Sequence, residues 1–317
     1  MPLHPQVQVV LTGLESMGLP PFETFSLEEG RQVIQTLSNF MIPAEEVASV
    51  VDAAAMGPEG DIPLRIFTPA GSDGDGPRPG ILYFHGGGFS TGSIDLVEPV
   101  CRALANRSGC IVIAVGYRLG PEHPYPAAVT DAYVATSWIA ANGRHFGIDR
   151  TRLVVMGDSA GANLATVTCM VIRDNEDEVD IALQVLIYPV TDLAHQDTPS
   201  YKENGEGYLL TNGMMSWFKG HYLAGCGEEA VAEPYCSPMF MGELDGLPPA
   251  IIVTAEYDPL RDEGEAYGAR LEQAGVPADV RREDGMIHGF FWMGGAIDRG
   301  RELLDELGAD LRKALFD

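Results

Sequence analysis

The segment LVVMGDSAGANLATVTCMVI, residues 153–172, decides the fold. Its first six residues are typical of a buried strand, and Leu164, Val167 and Val171 have the spacing of a buried helix. Glycines stand two residues before and two residues after Ser159, where they permit close backbone approach in a strand–turn–helix elbow. By chance the pattern GxSxG occurs about 0.1 times in a chain of this length. In this setting it predicts that Ser159 is a nucleophile at a helix amino terminus, where negative charge is favoured.

The rest of the chain repeats the alternation of strand and helix. Short runs rich in Val and Ile, stopped by Gly, Pro or Asp, are typical of buried parallel strands, and the segments between them suit crossover helices. We predict a doubly wound sheet whose ligands gather at the carboxyl ends of the strands. The predicted strands are 61–70, 81–86, 111–117, 153–158, 183–189, 250–258 and 278–282. The predicted helices are 95–106, 127–142, 163–172, 262–274 and a final helix through 304–315, after an amphipathic opening at 7–14.

Residues 190–247 interrupt this rhythm. They separate two strong strands by far more than an ordinary crossover, and they carry seven aromatic residues. A structureless loop of that length is uncommon in a compact domain, so we predict a lid or cap with its own helices. The alternative is a second region of core that does not touch a ligand.

Composition excludes several classes of protein. The 46 acidic residues against 20 basic ones give a net charge of −26, which disfavours nucleic acids and anionic membranes as partners. The five cysteines are widely spaced, without CxxC or Cys/His clusters, which favours packed thiols over disulfides or a metal site. No apolar run is long enough to span a membrane, and no secretory signal is visible, so we expect a cytoplasmic protein.

A second glycine cluster, HGGGF at 85–89, follows another predicted strand. Backbone N–H groups of Gly86 and Gly87, together with that of Ala160, are predicted to form an oxyanion hole, in which one donor contributes about 3 kcal/mol. The alternative is a tight turn without a catalytic role. His85 is predicted to support the shape of this loop rather than to remove a proton.

His288 is the predicted general base. It lies in DGMIHGFFW, after the last predicted strand and before the final helix, so its loop should emerge at the catalytic edge of the sheet. A buried, hydrogen-bonded histidine without a catalytic role is the alternative. The other histidines are expected in a loose terminus (His4), in a proline-rich turn (His123) or in polar stretches (His145, His195 and His221).

The acid that orients the base should stand between serine and histidine in the chain, at a strand end. Asp258 has this position directly after AIIVTAEY. Glu256 would share its face of the strand, and Asp262 is expected to cap the next helix, so both remain alternatives. Asp158 is predicted to point away from the reaction and to hold neighbouring loops together.

These motifs resemble those of the hormone-sensitive-lipase-like carboxylesterases of the α/β-hydrolase fold. Besides HGGGF and GDSAG, the stretch YRLGPEHPYPAAVTDA (117–132) is similar to the family's YRLAPEHPFPAA, with Gly120 in place of alanine. EYDPLRDEG (256–264) and HGF (288–290) also match, so the resemblance extends from about residue 60 to the end. Ala162 stands where the family commonly has glycine.

The resemblance implies an α/β-hydrolase fold with a mostly parallel sheet of about eight strands, flanking helices and a helical cap. Residues 1–45 and 190–247 would form the cap, and 46–189 and 248–317 the core. The implied triad is Ser159, Asp258 and His288; the implied oxyanion donors are Gly86, Gly87 and Ala160; the supporting residues are His85, Gly88 and Asp158.

The implied activity is hydrolysis of short- to medium-chain carboxylic esters through an acyl-enzyme, without a cofactor or a metal. Two alternatives remain: an amidase or peptidase using the same triad, and a non-catalytic receptor for a small ligand. The open edge of the sheet's last strand also suggests a homodimer.

Overall fold

The computed structural model describes residues 2–71 and 76–316. In these ranges eight strands form one sheet in the order β1-β2-β4-β3-β5-β6-β7-β8. The strands are β1 (Ser49–Gly57), β2 (Gly60–Thr68), β3 (Arg78–Phe84), β4 (Ile111–Val115), β5 (Ile148–Asp158), β6 (Ile181–Ile187), β7 (Ala250–Tyr257) and β8 (Ala278–Ile287). The pairs β1–β2 and β2–β4 are antiparallel, whereas every other pair is parallel. The predicted mostly parallel sheet is therefore confirmed.

Helices cover both faces of the sheet. They are α1 (Pro5–Ser16), α2 (Leu27–Thr36), α3 (Ile94–Ser108), α4 (Ala127–Asn142), α5 (Ala160–Asp174), α6 (Pro199–Asn204), α7 (Asn212–Tyr222), α8 (Arg261–Gln273) and α9 (Asp298–Phe316). Helices α4, α5 and α8 contribute to one buried cluster, and α1, α3 and α9 contribute to the other. Successive strand residues alternate between the clusters: Val155 belongs to the first and Met156 to the second. Burial on both faces explains why the central strands are continuous apolar runs.

Two strands differ from the sequence-based expectation. Strand β1 is absent from the sequence-based prediction because SVVDAAAMG is rich in alanine and does not alternate between apolar and polar residues; most of its residues are exposed in the structure. Strand β8 extends to Ile287 rather than ending at Arg282. It passes through Gly285, which has φ +75°, beside a register shift in its pairing with β7. The sequence Glu283-Asp284-Gly285 looks like a turn, but it forms an irregularity within a strand.

The N-terminal segment and residues 190–247 contact each other. The Phe22 ring lies 5.1 Å from the Trp217 ring and 5.6 Å from the Phe218 ring, between ring centroids. Trp217 Nε1 also donates a hydrogen bond to the Phe25 carbonyl at 3.0 Å. Helix α2 is fastened to the loops after β3 and β4 by Arg31, whose guanidinium donates to the Ser90 and Gly120 carbonyls. Both segments thereby lie over the carboxyl ends of the central strands.

No helix in the described part of the chain is long and apolar enough to cross a membrane.

Candidate active site

Ser159 stands in the sharp turn between β5 and α5. Its backbone has φ 54° and ψ −118°, in a region that non-glycine residues rarely adopt. Gly157 and Gly161 permit the turn, because a Cβ on Gly161 would overlap the Phe84 carbonyl and one on Gly157 would overlap the backbone of Gly161. The Ser159 N–H donates to the Ile187 carbonyl at 2.8 Å. The hydroxyl is thereby held at the amino end of α5, at a turn whose strain is typical of functional sites.

Three side chains form a hydrogen-bonded relay. His288 Nε2 lies 3.0 Å from Ser159 Oγ, and His288 Nδ1 lies 2.7 Å from Asp258 Oδ2. Asp258 is fully buried, and Ser159 and His288 are 8% and 9% exposed. The residues follow β5, β7 and β8, whose carboxyl ends lie at one edge of the parallel part of the sheet. This arrangement can pass a proton from the serine to the imidazole and hold the resulting charge beside the aspartate.

The structure brings Asp258, and not its two alternatives, to the histidine. Its second oxygen, Oδ1, accepts the Leu260 N–H at 2.9 Å, which fixes the carboxylate. Glu256 instead accepts the Gly285 N–H at 2.7 Å. Asp262 accepts the Ser200 N–H at 2.8 Å. The expectation that Asp262 caps the next helix is wrong, because α8 already begins at Arg261.

Gly86 differs from its predicted role. Its N–H donates to Asp158 Oδ1 at 3.0 Å and is therefore not free for a substrate oxygen. By contrast, the N–H groups of Gly87, Gly88 and Ala160 have no hydrogen-bond partner among residues 2–71 and 76–316. Gly87 and Gly88 have φ +113° and +57°, and a Cβ on Gly88 would overlap the Phe218 ring. The free donors are therefore one residue further along the glycine cluster than predicted.

Asp158 is buried under the glycine loop and ties it to the sheet. Besides Gly86, the Tyr83 hydroxyl donates to Asp158 Oδ1 at 2.8 Å. Burial raises the pKa of the Asp158 carboxyl above its ordinary value, whereas these two hydrogen bonds lower it. Asp158 therefore holds the loop after β3 against the elbow after β5.

His85 is buried behind the same loop. Its ring stacks on Tyr117 at 4.3 Å, and its Nδ1 lies 2.7 Å from the Gly86 carbonyl. Burial lowers the pKa of His85 to about 4, so the imidazole is neutral near pH 7 and Nδ1–H is the donor to that carbonyl. The Tyr117 hydroxyl donates to the His85 carbonyl at 2.6 Å. These contacts brace the loop and leave His85 without access to the Ser159 hydroxyl.

Other histidines make separate contacts. His4 is not loose, because its N–H donates to the Gly285 carbonyl and its Nδ1 accepts the Gln6 N–H at the start of α1. His195 is exposed and bonds to Asp192, which raises the pKa of the imidazole. His221 Nδ1 lies 2.8 Å from the Trp217 carbonyl.

A mostly apolar cavity lies above Ser159. Its lining includes Gly87, Gly88 and His288, and side chains from the N-terminal segment, from α3 and from residues 190–247. The apolar ones include Ile34, Leu37, Met41, Leu96, Val97, Leu210, Met214, Met215, Phe218 and Tyr222. Sequence reasoning did not identify Ile34, Leu37 or Met41, because the N-terminal segment reaches the site only through contacts distant in the chain. Among the described residues, Lys219 is the only lysine or arginine of this lining.

Comparisons with known proteins agree with this geometry. A family model described as the alpha/beta hydrolase fold matches residues 81–292. Esterase LipI of Mycobacterium tuberculosis is 41% identical over 263 residues, which cover 82% of this chain and 80% of LipI. Ethyl acetate hydrolase of Pseudomonas putida is 34% identical over 308 residues, which cover 95% of this chain and 96% of that protein. The hyperthermophilic esterase of the archaeon Pyrobaculum calidifontis superposes with a TM-score of 0.90 and 38% identity, over 99% of each chain.

Proposed function

Because this chain belongs to the α/β-hydrolase fold family, in its hormone-sensitive-lipase-like branch, we propose that it is a carboxylesterase acting through an acyl-enzyme. The observation that carries the proposal is the relay from Ser159 through His288 to Asp258. Its substrates are small-molecule esters with short or medium acyl chains. No cofactor or metal is part of this mechanism.

Acylation begins when Ser159 Oγ attacks the ester carbonyl while His288 Nε2 takes the hydroxyl proton. The 3.0 Å separation of these two atoms supports a direct transfer. Asp258 holds the Nδ1–H tautomer and stabilises the imidazolium that forms. His288 then gives its proton to the leaving alkoxide, so that the alcohol departs and the acyl group stays on Ser159.

The oxyanion of the tetrahedral intermediate is stabilised by three backbone donors. We assign these to Gly87, Gly88 and Ala160, since the Gly86 N–H is already donated to Asp158. Each donor of this kind contributes about 3 kcal/mol to the transition state. Deacylation repeats the sequence with water, which His288 activates, and it releases the carboxylic acid.

The cavity supports the choice of substrate. Its lining is mostly apolar, which suits an acyl chain. The Pseudomonas putida relative is named for ethyl acetate, an ester of a two-carbon acid. Amide or peptide hydrolysis would use the same relay, so a matched p-nitroanilide separates the two. A non-catalytic receptor does not need the relay of Ser159, His288 and Asp258. The complete geometry of this relay therefore supports catalysis.

The proposal also covers the cap, the compartment and the oligomeric state. Residues 1–45 and 190–247 act as a cap over a core of 46–189 and 248–317, since side chains of both cap segments line the cavity. The five cysteines are free thiols, which suits the reducing cytoplasm. Strand β8 ends the sheet order, so a homodimer would form through this edge and would be detected by light scattering.

A series of p-nitrophenyl esters from acetate to laurate tests the proposed function. We expect kcat/KM to be highest for short or medium chains and Ser159→Ala to be inactive. The matched control is Ser216→Ala, which removes an exposed hydroxyl from α7 and should retain full activity. Full activity in Ser159→Ala would contradict the mechanism, and rates that rise toward laurate would contradict the chain-length assignment. Faster cleavage of a p-nitroanilide than of its matching ester would favour the amidase.

A further inference from the structure

Lys219 places a positive charge on the apolar face of α7. The side chains of Met215, Phe218, Lys219 and Tyr222 follow the i, i+3, i+4, i+7 spacing that puts them on one side of a helix, and all four line the cavity above Ser159. Three of the four are buried apolar or aromatic residues. The helical pattern would place another apolar residue at position 219, so a lysine there is an exception.

The charge of Lys219 is not neutralised by the described protein. The Nζ atom has one hydrogen-bond contact, to the Leu193 carbonyl at 3.5 Å, which is at the upper limit for such a bond. Within residues 2–71 and 76–316, no carboxylate oxygen lies within 4.0 Å of it. This is notable in a chain with 46 acidic residues. An ammonium group has three N–H donors, so at least two of them are free to bind a ligand.

No carboxylate of the cavity lining pairs with Lys219. Among the described residues Asp158 is the only carboxylate of that lining, and its Oδ1 accepts hydrogen bonds from Tyr83 and Gly86 instead. Apolar walls exclude water and therefore weaken the screening of an ion pair formed inside the cavity. Lys219 lines the same cavity as Ser159 and as Phe218, whose ring lies against Gly88 of the glycine loop. An ester bound over Ser159 would therefore share this cavity with the ammonium group.

We propose that Lys219 is a specificity-determining residue that binds a carboxylate carried by the substrate. The preferred substrate class is then esters with a second, ionised acid group, such as monoesters of short dicarboxylic acids. The carboxylate could belong to the acyl part or to the alcohol part, and the same ammonium would recognise either. This inference rests on the proposed esterase function.

Pairs of esters that differ only in charge test the inference. For the acyl part, monomethyl succinate is compared with methyl levulinate, in which a methyl ketone replaces the carboxylate at nearly the same size. For the alcohol part, acetoxyacetate is compared with acetoxyacetone in the same way. Rates are measured by pH-stat at fixed ionic strength for the wild type, Lys219→Met and Lys219→Arg. Lys202→Met is the control, because it removes a positive charge from an exposed position on α6.

For each pair we take the ratio of kcat/KM for the anionic ester to that for the neutral ester. In at least one pair, we expect this ratio to be at least about tenfold higher in the wild type than in Lys219→Met. The change should lie in KM for the anionic ester, and the neutral ester of each pair measures any general effect of the substitution on activity. Lys219→Arg should keep most of the preference, and Lys202→Met all of it. The pair that responds identifies the part of the substrate that carries the carboxylate.

Equal ratios in the wild type and Lys219→Met for both pairs would overturn the inference. A loss of the preference in Lys202→Met as large as that in Lys219→Met would also overturn it, because the effect would then come from net charge. Failure of the wild type to hydrolyse any of the four esters would instead contradict the proposed function, so the two failures are distinguishable.

Discussion

Replacing Tyr83 with phenylalanine removes the buried hydroxyl that donates to Asp158. Tyr83 and Asp158 are 1% and 4% exposed, and their oxygens lie 2.8 Å apart. A buried hydrogen bond to a charged group stabilises a protein by roughly 1.5–3 kcal/mol, so Tyr83→Phe should lower the free energy of unfolding by about that much. For the 317 residues of this chain, an unfolding entropy of roughly 2.1 cal/mol/K per residue converts this loss to a fall in Tm of about 2–5 °C.

The matched control is Tyr235→Phe. It removes the same hydroxyl from the same kind of bond, since Tyr235 donates to Asp174 at 2.7 Å, but this bond lies at the surface. We expect a loss within about 0.5 kcal/mol. Urea unfolding followed by tryptophan fluorescence at pH 7 measures both variants. Equal losses in Tyr83→Phe and Tyr235→Phe would refute the role assigned to Asp158.

The cost of Tyr83→Phe should also depend on pH. Burial raises the pKa of Asp158 above its ordinary value of 3.8, so the folded protein holds this proton more tightly than the unfolded chain. This tighter proton binding by Asp158 stabilises the folded state most below pH 3.8. The stabilisation is lost as the pH rises through the folded-state pKa of Asp158. The Tyr83 hydroxyl favours the ionised carboxylate over the protonated one, so removing it raises the pKa of Asp158 further. The loss of stability should therefore be larger above the folded-state pKa than below it; a loss that grows in acid would contradict this reasoning.

Three further experiments test the site and the attachment of α2. Asp258→Asn should lower kcat by about 10⁴-fold because the imidazole loses its tautomer, whereas Glu256→Gln should change kcat by less than tenfold; an equal effect of both would show that the wrong acid was chosen. Gly88→Ala adds a methyl group that overlaps Phe218 and should displace an oxyanion donor, so kcat falls by about 10²–10³-fold, and Phe218→Ala in the same chain should restore part of it. Arg31→Met removes two bonds to backbone carbonyls and an exposed ion pair, so the free energy of unfolding should fall by about 1–2 kcal/mol, measured by urea unfolding; no loss would contradict the role of this side chain in fastening α2.

Most of the sheet could be predicted from the sequence because its central strands are buried on both faces. Strand β4, for example, has five consecutive buried residues and appears as an uninterrupted apolar run. Strand β1 has no such signal, because its alanine-rich sequence does not alternate and its apolar residues do not mark a buried face: Met56 is 80% exposed. The strand instead pairs with β2 along its whole length. Gly285 similarly looks like the end of a strand, although β8 continues through it.

The site residues could be predicted where they directly follow a recognisable strand. Ser159, Asp258 and His288 each follow a strand that could be recognised, and the structure brings them together. The three glycines after His85 look equivalent in the sequence. The bond that removes the Gly86 N–H comes from Asp158, 72 residues away, so only the folded structure distinguishes Gly86 from Gly88.

Contacts across the cap were also beyond sequence reasoning. Ile34 and Leu37 line the cavity because α2 packs beside α7, where Trp217 lies against Phe22 and Gly30. Nothing in the local pattern of the first 45 residues identifies this partner. The charge of Lys219 is visible in the sequence, but its position on the cavity face becomes apparent only with the helix in place.

Covalent labelling of the serine tests the central claim most directly. A p-nitrophenyl phosphonate, which mimics the tetrahedral intermediate, is incubated with the protein, and the adduct is located by peptide mass spectrometry. We expect one phosphonyl group per chain on Ser159, loss of esterase activity in proportion to labelling, and no adduct in Ser159→Ala. An adduct on another residue, or full activity after complete labelling of Ser159, would contradict the account.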